Sequence, residues 1–453
     1  MQQKLIFIFV VLFACTSIFI AEEYNIPEFK KINKGKSKKG NHVCQYPIRP
    51  STSSMFFVSA FANPGTMEIE PNDNTVTANP AITSSNQSLD VAGSLVANDI
   101  DSYRLEVVKG DVVGIAIKGS GVDTVIGIYD AQGEEVISND DHSGVASFYP
   151  MESPLPSPTS TENSALTWIA PKNGTFFVVV KGFDETVSGD YTLEIRSTRP
   201  FLETQPQGTK QIIYLDFDGE TINAQQLFGQ GKQSATLAPM IDFLVGWQLT
   251  AFEERQVADA IIATIQQDLD KLKAINPNAD FEIRNSYDHA NAFGLPHVSR
   301  VIIGGTIEQI GFPTIGIASS VDPGNFATQD TAVVLLDLLS APASDPNSIN
   351  SLRLKAGFSK VQAVGRVVGK IVAHEIGHFL GCWHTNNQND APCIMDQGGD
   401  IKNSSGVGKD NILGSGDDKN VNFAKDVYIE NEGIAIGTEN TDIRAAYALS
   451  KGK

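Results

Sequence analysis

HEIGHFLGCWH, residues 374 to 384, places three histidines and one glutamate within eleven residues, and the reading of this run decides the fold around it. Upstream, Ser359 to Leu380 contains no proline, and Val364, Val367, Ile371, His374 and His378 recur at spacings of three and four. That period predicts a helix with both histidines on one face, one turn apart and able to reach the same metal ion. Gly365, Val368, Val372, Ile376 and Phe379 form a second stripe, as expected of a helix buried under a sheet and lining a cleft. Gly381 can adopt positive φ, end the helix and turn the chain so that His384 returns as a third ligand. Three protein ligands leave a fourth position for water, the pattern of a catalytic rather than a structural zinc. Glu375, beside the first ligand, is then the candidate general base. Histidines satisfied in an apolar core are the competing reading, but packing alone does not require a glutamate and a bend glycine at these positions.

His374, Glu375, His378, Gly381 and His384 resemble the metzincin metallopeptidase signature HExxHxxGxxH residue for residue. The resemblance implies a Zn2+ cofactor, an α/β (α+β) zincin catalytic domain over residues 208–453, and a methionine turn beneath the metal. CIMD supplies that turn as Met395, eleven residues after His384, which by the resemblance supports the site without ligating. Gln397 stands where the astacin and serralysin pattern has a tyrosine, so no tyrosine ligand is expected there. Thr385 after the third histidine does not place the chain cleanly in the astacin, reprolysin, serralysin or matrixin groups, and the block from Tyr214 onward looks more like divergent metzincin-like bacterial exoproteins. The expected activity is hydrolysis of peptide bonds in protein substrates by zinc-activated water, with Glu375 as general base.

Around this run the pattern is mixed. QIIYLDFDG reads as a buried strand ending in a glycine turn, and FEIRNSY, RVIIGG and TAVVLLDLL as further strands of one sheet. GIASSV, residues 316–321, is the candidate edge strand along which an extended peptide would pair. Thr250 and Glu253 have capping-box spacing before a helix whose Val257, Ile261, Ile265, Leu269 and Leu272 recur every three or four residues. Beyond Met395, Asp410, Asn411, Asp417, Asp418, Asn420 and Asn422 crowd a glycine-rich loop, a composition that suits either Ca2+ or a polar surface loop.

Residues 67–197 differ: DSYRLEVV, DVVGIAI, DTVIGIYD, TFFVVVKGF and DYTLEIR are strand-length runs separated by turn residues, which predicts an all-β sandwich. EPNDNTVTAN, DIDSYRLEV and IGIYDAQGEEVISNDD together resemble the bacterial pre-peptidase C-terminal domain, implying an accessory role. Asp99, Asp101, Asp140 and Asp141 are candidate calcium ligands or simply turn formers. MESPLPSPTSTENS, residues 151–164, is expected to be an exposed loop. The chain is therefore read as multidomain, the sandwich preceding the catalytic domain.

Residues 1–21 read as a signal peptide and 22–66 as a basic pro-segment or linker, so the mature protein is expected to be secreted, without a stable membrane span. A lipid anchor at Cys15 is the less favoured alternative. Residues 1–50 carry 8 basic and 3 acidic side chains out of totals of 34 and 53, leaving 26 − 50 = −24 on the remainder. Such a surface repels phosphate backbones, which argues against nucleic acid as a partner. Cys382 and Cys393 are candidates for a local disulfide, and Cys44 for a latency ligand on the metal. The rival function is a non-catalytic adhesin or matrix-binding exoprotein in which the zinc domain is only a scaffold.

Overall fold

The computed structural model describes residues 66–118, 122–142, 149–158, 163–398 and 400–453. The expected signal peptide and pro-segment, with Cys15 and Cys44, lie outside the described residues.

The chain is mostly β-sheet, in several sheets, with a few helices. Two sheets face each other in the first part. One orders Thr66–Met67, Gln87–Leu95, Gly189–Thr198, Val112–Lys118 and Ala165–Ile169; the other begins Asn79–Ile82, Ile100–Val107, Gly174–Gly182, Thr124–Asp130 and Glu135–Asn139. All five predicted runs are strands, and alternate residues such as Leu105, Val107, Val178, Val180, Ile115 and Ile117 meet in one core between them. The expected exposed loop is only partly so. Leu155 is buried against Val112, Ile169 and Tyr447, because an apolar side chain in a proline-rich loop still gains by leaving water.

The second sheet does not stop at Asn139. Ile436–Asn440 and Lys425–Val427 continue it to seven strands, with Ile436 opposite Ser138 and Gly437 opposite Ile137. The C-terminal segment thus completes the sandwich.

Between these parts lies a five-stranded sheet in the order Phe281–Asn285, Gln211–Asp216, Val298–Ile303, Thr331–Val334, Gly316–Ala318. The first four run parallel, and Gly316–Ala318 runs antiparallel at the edge, the position expected for GIASSV. Under the sheet lie two helices. Glu254–Ile275 follows the capping box of Thr250 and Glu253 and buries Val257, Ile261, Ile265, Leu269 and Leu272 as predicted. Lys360–Phe379 starts at a second capping box, Ser359 with Gln362, and packs along the first helix. Lys370 Nζ donates to both Asp268 carboxylate oxygens at 2.7 and 2.8 Å and to Val421 O at 2.5 Å, so a buried ion pair ties the two helices to the C-terminal segment. Among the described residues no helix is long and apolar enough to cross a membrane.

Candidate metal centre

His374 and His378 lie in the last turns of the Lys360–Phe379 helix, buried, on the face toward the edge strand. The helix then stops in a Schellman turn. Cys382 N donates to Gly377 O at 2.9 Å and Gly381 N to His378 O at 2.8 Å, with Gly381 at φ +82°. A side chain at Gly381 would also meet Pro323, its Cβ falling 2.3 Å from that residue's Cα. The turn brings His384 back: the three ring centroids lie 4.9, 5.2 and 5.0 Å apart, and one ring nitrogen from each lies within 4.8 Å of the others.

The outer contacts decide which nitrogen faces inward. His374 Nδ1 lies 2.7 Å from Ile394 O, His378 Nδ1 2.9 Å from Cys382 O, and His384 Nδ1 2.9 Å from Glu432 Oε1. Each acceptor requires a protonated Nδ1, which leaves Nε2 of each neutral ring with its lone pair. His374 Nε2 is buried and has no hydrogen-bond partner. Burial, and then the neighbouring imidazoles, push His374 down to about 3 and His378 well below the ordinary histidine range. Neutral imidazoles converging through Nε2 are the donor set that Zn2+ takes, so these residues fit the metal.

Glu375 is buried beside His374, and its carboxylate lies against the first residue of the edge strand: a Cβ at Gly316 would come within 2.0 Å of Glu375 Oε1. A cleft opens there, lined by Ile315, Ile371, Ile394 and Ile401 and by the charged Lys370, Glu375, Asp396 and Asp400. Met395 is fully buried beneath the helix, where a Cβ at Gly377 would fall 2.3 Å from its Sδ. Gln397 is turned to Glu432, donating from Nε2 to Oε1 at 2.6 Å. Glu432 itself is a residue the sequence reading missed, since nothing local marks a glutamate forty-eight positions from the histidine it holds.

The expected cross-link is corrected. Cys382 and Cys393 are buried free thiols. Cys382 Sγ donates to Thr441 O at 3.5 Å and Cys393 Sγ lies 3.5 Å from Thr441 Oγ1, so one threonine occupies both sulfurs. Burial pushes Cys382 well up and Cys393 to about 11, keeping both protonated and unreactive. Backbone bonds close the loop instead, Thr385 N to Met395 O at 2.8 Å and Gln397 N to Thr385 O at 2.9 Å.

In the 410–422 loop, Asp418 Oδ2 accepts from Arg366 Nη1 at 2.6 Å and Gly414 N at 2.7 Å while its Oδ1 is buried without a hydrogen-bond partner, and Asp410 Oδ1 accepts from Ile412 N at 2.8 Å. The convergent acidic groups among the described residues are on the sandwich, Glu68 with Glu70 and Asp101, and Asp123 with Asp140 and Asp141. In the first, Asp101 is fully buried; Oδ2 accepts from Tyr191 Oη at 2.6 Å, while Oδ1 has no partner. Asn72, on the same stretch, has both amide atoms buried and unpartnered. Buried oxygens without donors fit a hard cation such as Ca2+. Glu68 and Glu70 lie just past the Thr66–Met67 strand, and no sequence motif pairs them with Asp101, more than thirty residues on.

No protein-family model matches the chain, and no curated protein does. Among solved structures, it is similar to the pre-peptidase C-terminal domain of a Bacillus anthracis collagenase (17% identity, covering 27% of this chain and 96% of that one, TM-score 0.18). It is also similar to PliG of Aeromonas hydrophila, a periplasmic inhibitor of g-type lysozyme (15% identity, 26% and 99% covered, TM-score 0.19). A third is CorA, a surface-associated copper-binding protein of Methylomicrobium album BG8 (13% identity, 26% and 98% covered, TM-score 0.18).

Proposed function

We propose that the protein is a secreted, metzincin-like zinc endopeptidase. The supporting observation is the convergence of three imidazoles, each with Nδ1 beside an oxygen acceptor, next to a buried glutamate in a cleft lined by four isoleucines. His374, His378 and His384 would hold the metal, and Met395 packs under them. Zinc, when bound, supplies a Lewis acid that acidifies water and polarises a carbonyl. Glu375 accepts the proton of the attacking water and passes it to the departing amine. The edge strand Gly316–Ala318 offers backbone groups to an extended peptide, and Ile315, Ile371, Ile394 and Ile401 exclude water beside it. A protein or peptide substrate is the partner this arrangement serves. Calcium belongs in the same reading as an ion of the sandwich, held by Glu68, Glu70 and Asp101.

Glu375→Gln tests the reading. In the purified protein it should retain zinc stoichiometry while cleavage of casein or gelatin falls by roughly 10²- to 10⁴-fold. Undiminished cleavage in that variant removes Glu375 from the mechanism, and a zinc-loaded native protein that cuts nothing returns the scaffold reading.

A further inference from the structure

The three ligands are not supported alike. His374 and His378 rest on backbone carbonyls of Ile394 and Cys382, both close to them in the same part of the fold. His384 rests on Glu432 Oε1, and Glu432 ends the short turn Glu430–Glu432 between Lys425–Val427 and Ile436–Asn440. Those two strands are the last of the sandwich's seven-stranded sheet.

The attachment of that turn is specific. Asn139, 3% exposed at the end of Glu135–Asn139, donates from Nδ2 to Gly433 O at 3.3 Å and Ile434 O at 3.0 Å. Its Oδ1 accepts from Ala165 N at 2.8 Å, so one side chain joins both sandwich sheets to the turn. Trp383, the residue before His384, is 1% exposed and packs into the sandwich core with Tyr428, Ile434 and Ala435, its ring 6.2 Å from that of Tyr149. The chain on either side of the third ligand's contact is therefore held by the sandwich.

We propose that the sandwich is a working part of the metal site: through Asn139, the 430–434 turn and Glu432 it fixes the position of His384 and thereby sets metal affinity. Asn139 and Glu432 are positioning residues, and the inference rests on the three histidines binding a metal. A ligand histidine whose carboxylate partner is lost typically costs a metal site about 10- to 100-fold in affinity. The same loss is expected when the carboxylate remains but its anchor is cut.

The test is competition titration of the full-length, metal-stripped protein with Zn2+ against a chromophoric chelator, and the visible spectrum of the Co2+ form. Asn139→Ala and Glu432→Ala should each weaken Zn2+ by roughly tenfold or more and alter the cobalt bands. Val179→Ala, a cavity in the separate sandwich cluster of Tyr129 and Phe177, should lower the melting temperature and leave both readouts unchanged. If Asn139→Ala fails to fold, Asn139→Asp keeps the acceptor for Ala165 N and removes the donor to the turn, and it decides the matter in the same way. Wild-type affinity in a folded Asn139 variant overturns the sandwich's role while leaving the zinc reading intact. A native protein that binds neither Zn2+ nor Co2+ overturns both.

Discussion

Gly381 sits at the point where one residue controls a ligand. Its φ of +82° costs an L-residue roughly 1–2 kcal/mol, and a methyl there meets the backbone of Pro323. Gly381→Ala should therefore lower stability by at least about 1 kcal/mol in urea denaturation, and metal content should fall because His384 follows the displaced turn. Asp396, next to Met395, gives a pH signature. Burial pushes its carboxyl up from 3.8 to about 7, with Asp426 adding to the rise. The unfolded chain gives up this proton near pH 4 while the fold keeps it, so the stabilisation present below pH 4 is lost as pH rises towards 7 and stays flat beyond. At about 1.4 kcal/mol per pKa unit the whole effect is at most about 4 kcal/mol. Asp396→Asn should abolish it: the variant's stability relative to the native chain should grow between pH 4 and 7, read from denaturation midpoints. The histidines and Glu375 were legible because their relation is local, one helical turn and one glycine bend. Glu432 was not, because its partner lies across two strands and a turn that sequence periodicity does not connect.

At the scale of elements, the edge strand makes the sharpest demand. Gly316 opens Gly316–Ala318 directly over the Glu375 carboxylate, so the strand approaches the base only without a side chain. Gly316→Ala must displace Glu375 or the strand, and peptide cleavage should drop at least about tenfold while zinc content is unchanged; full activity would separate the strand from the site. Calcium is the corresponding test on the sandwich. A ligand at a hundred times its dissociation constant stabilises a fold by about 2.7 kcal/mol, so Ca2+ should raise the melting temperature of the native chain and leave Asp101→Asn unmoved. Five sandwich strands were legible from period and turn residues, and both long helices from their stripes, one with its cap, whereas Gln87–Leu95, Ala165–Ile169 and the Ser359–Gln362 cap were not. At the 410–422 loop composition counts carboxylates but does not show that Arg366 and the Gly414 amide share Asp418 Oδ2, or that the Ile412 amide holds Asp410.

Over the whole molecule, the sandwich and the part that carries the three histidines share one sheet. The pattern of strand-length runs ends near residue 197, and no periodicity announces that residues 425–440 extend the second sandwich sheet. Yet Arg444, buried in the last helix and paired with Glu439 at 2.6 Å, donates to Thr167 O at 3.1 Å and Oγ1 at 3.1 Å, so a buried C-terminal charge pair is hydrogen-bonded to the sandwich. Removing one partner of such a pair strands the other and costs about 3–5 kcal/mol. With Trp383 and the shared sheet added, the two parts are expected to unfold together. The chain's tryptophans are placed to test this: Trp168 lies in the sandwich core and Trp247 in the core beneath the five-stranded sheet. With Trp383 replaced by phenylalanine, single-tryptophan variants retaining Trp168 or Trp247 should melt at the same temperature. Chelation of the metal should lower both midpoints together, since binding to the native state alone stabilises whatever unfolds with it. A Trp168 transition that ignored the chelator would show the sandwich unfolding alone, and the continuity of the seven-stranded sheet would then carry no energetic weight.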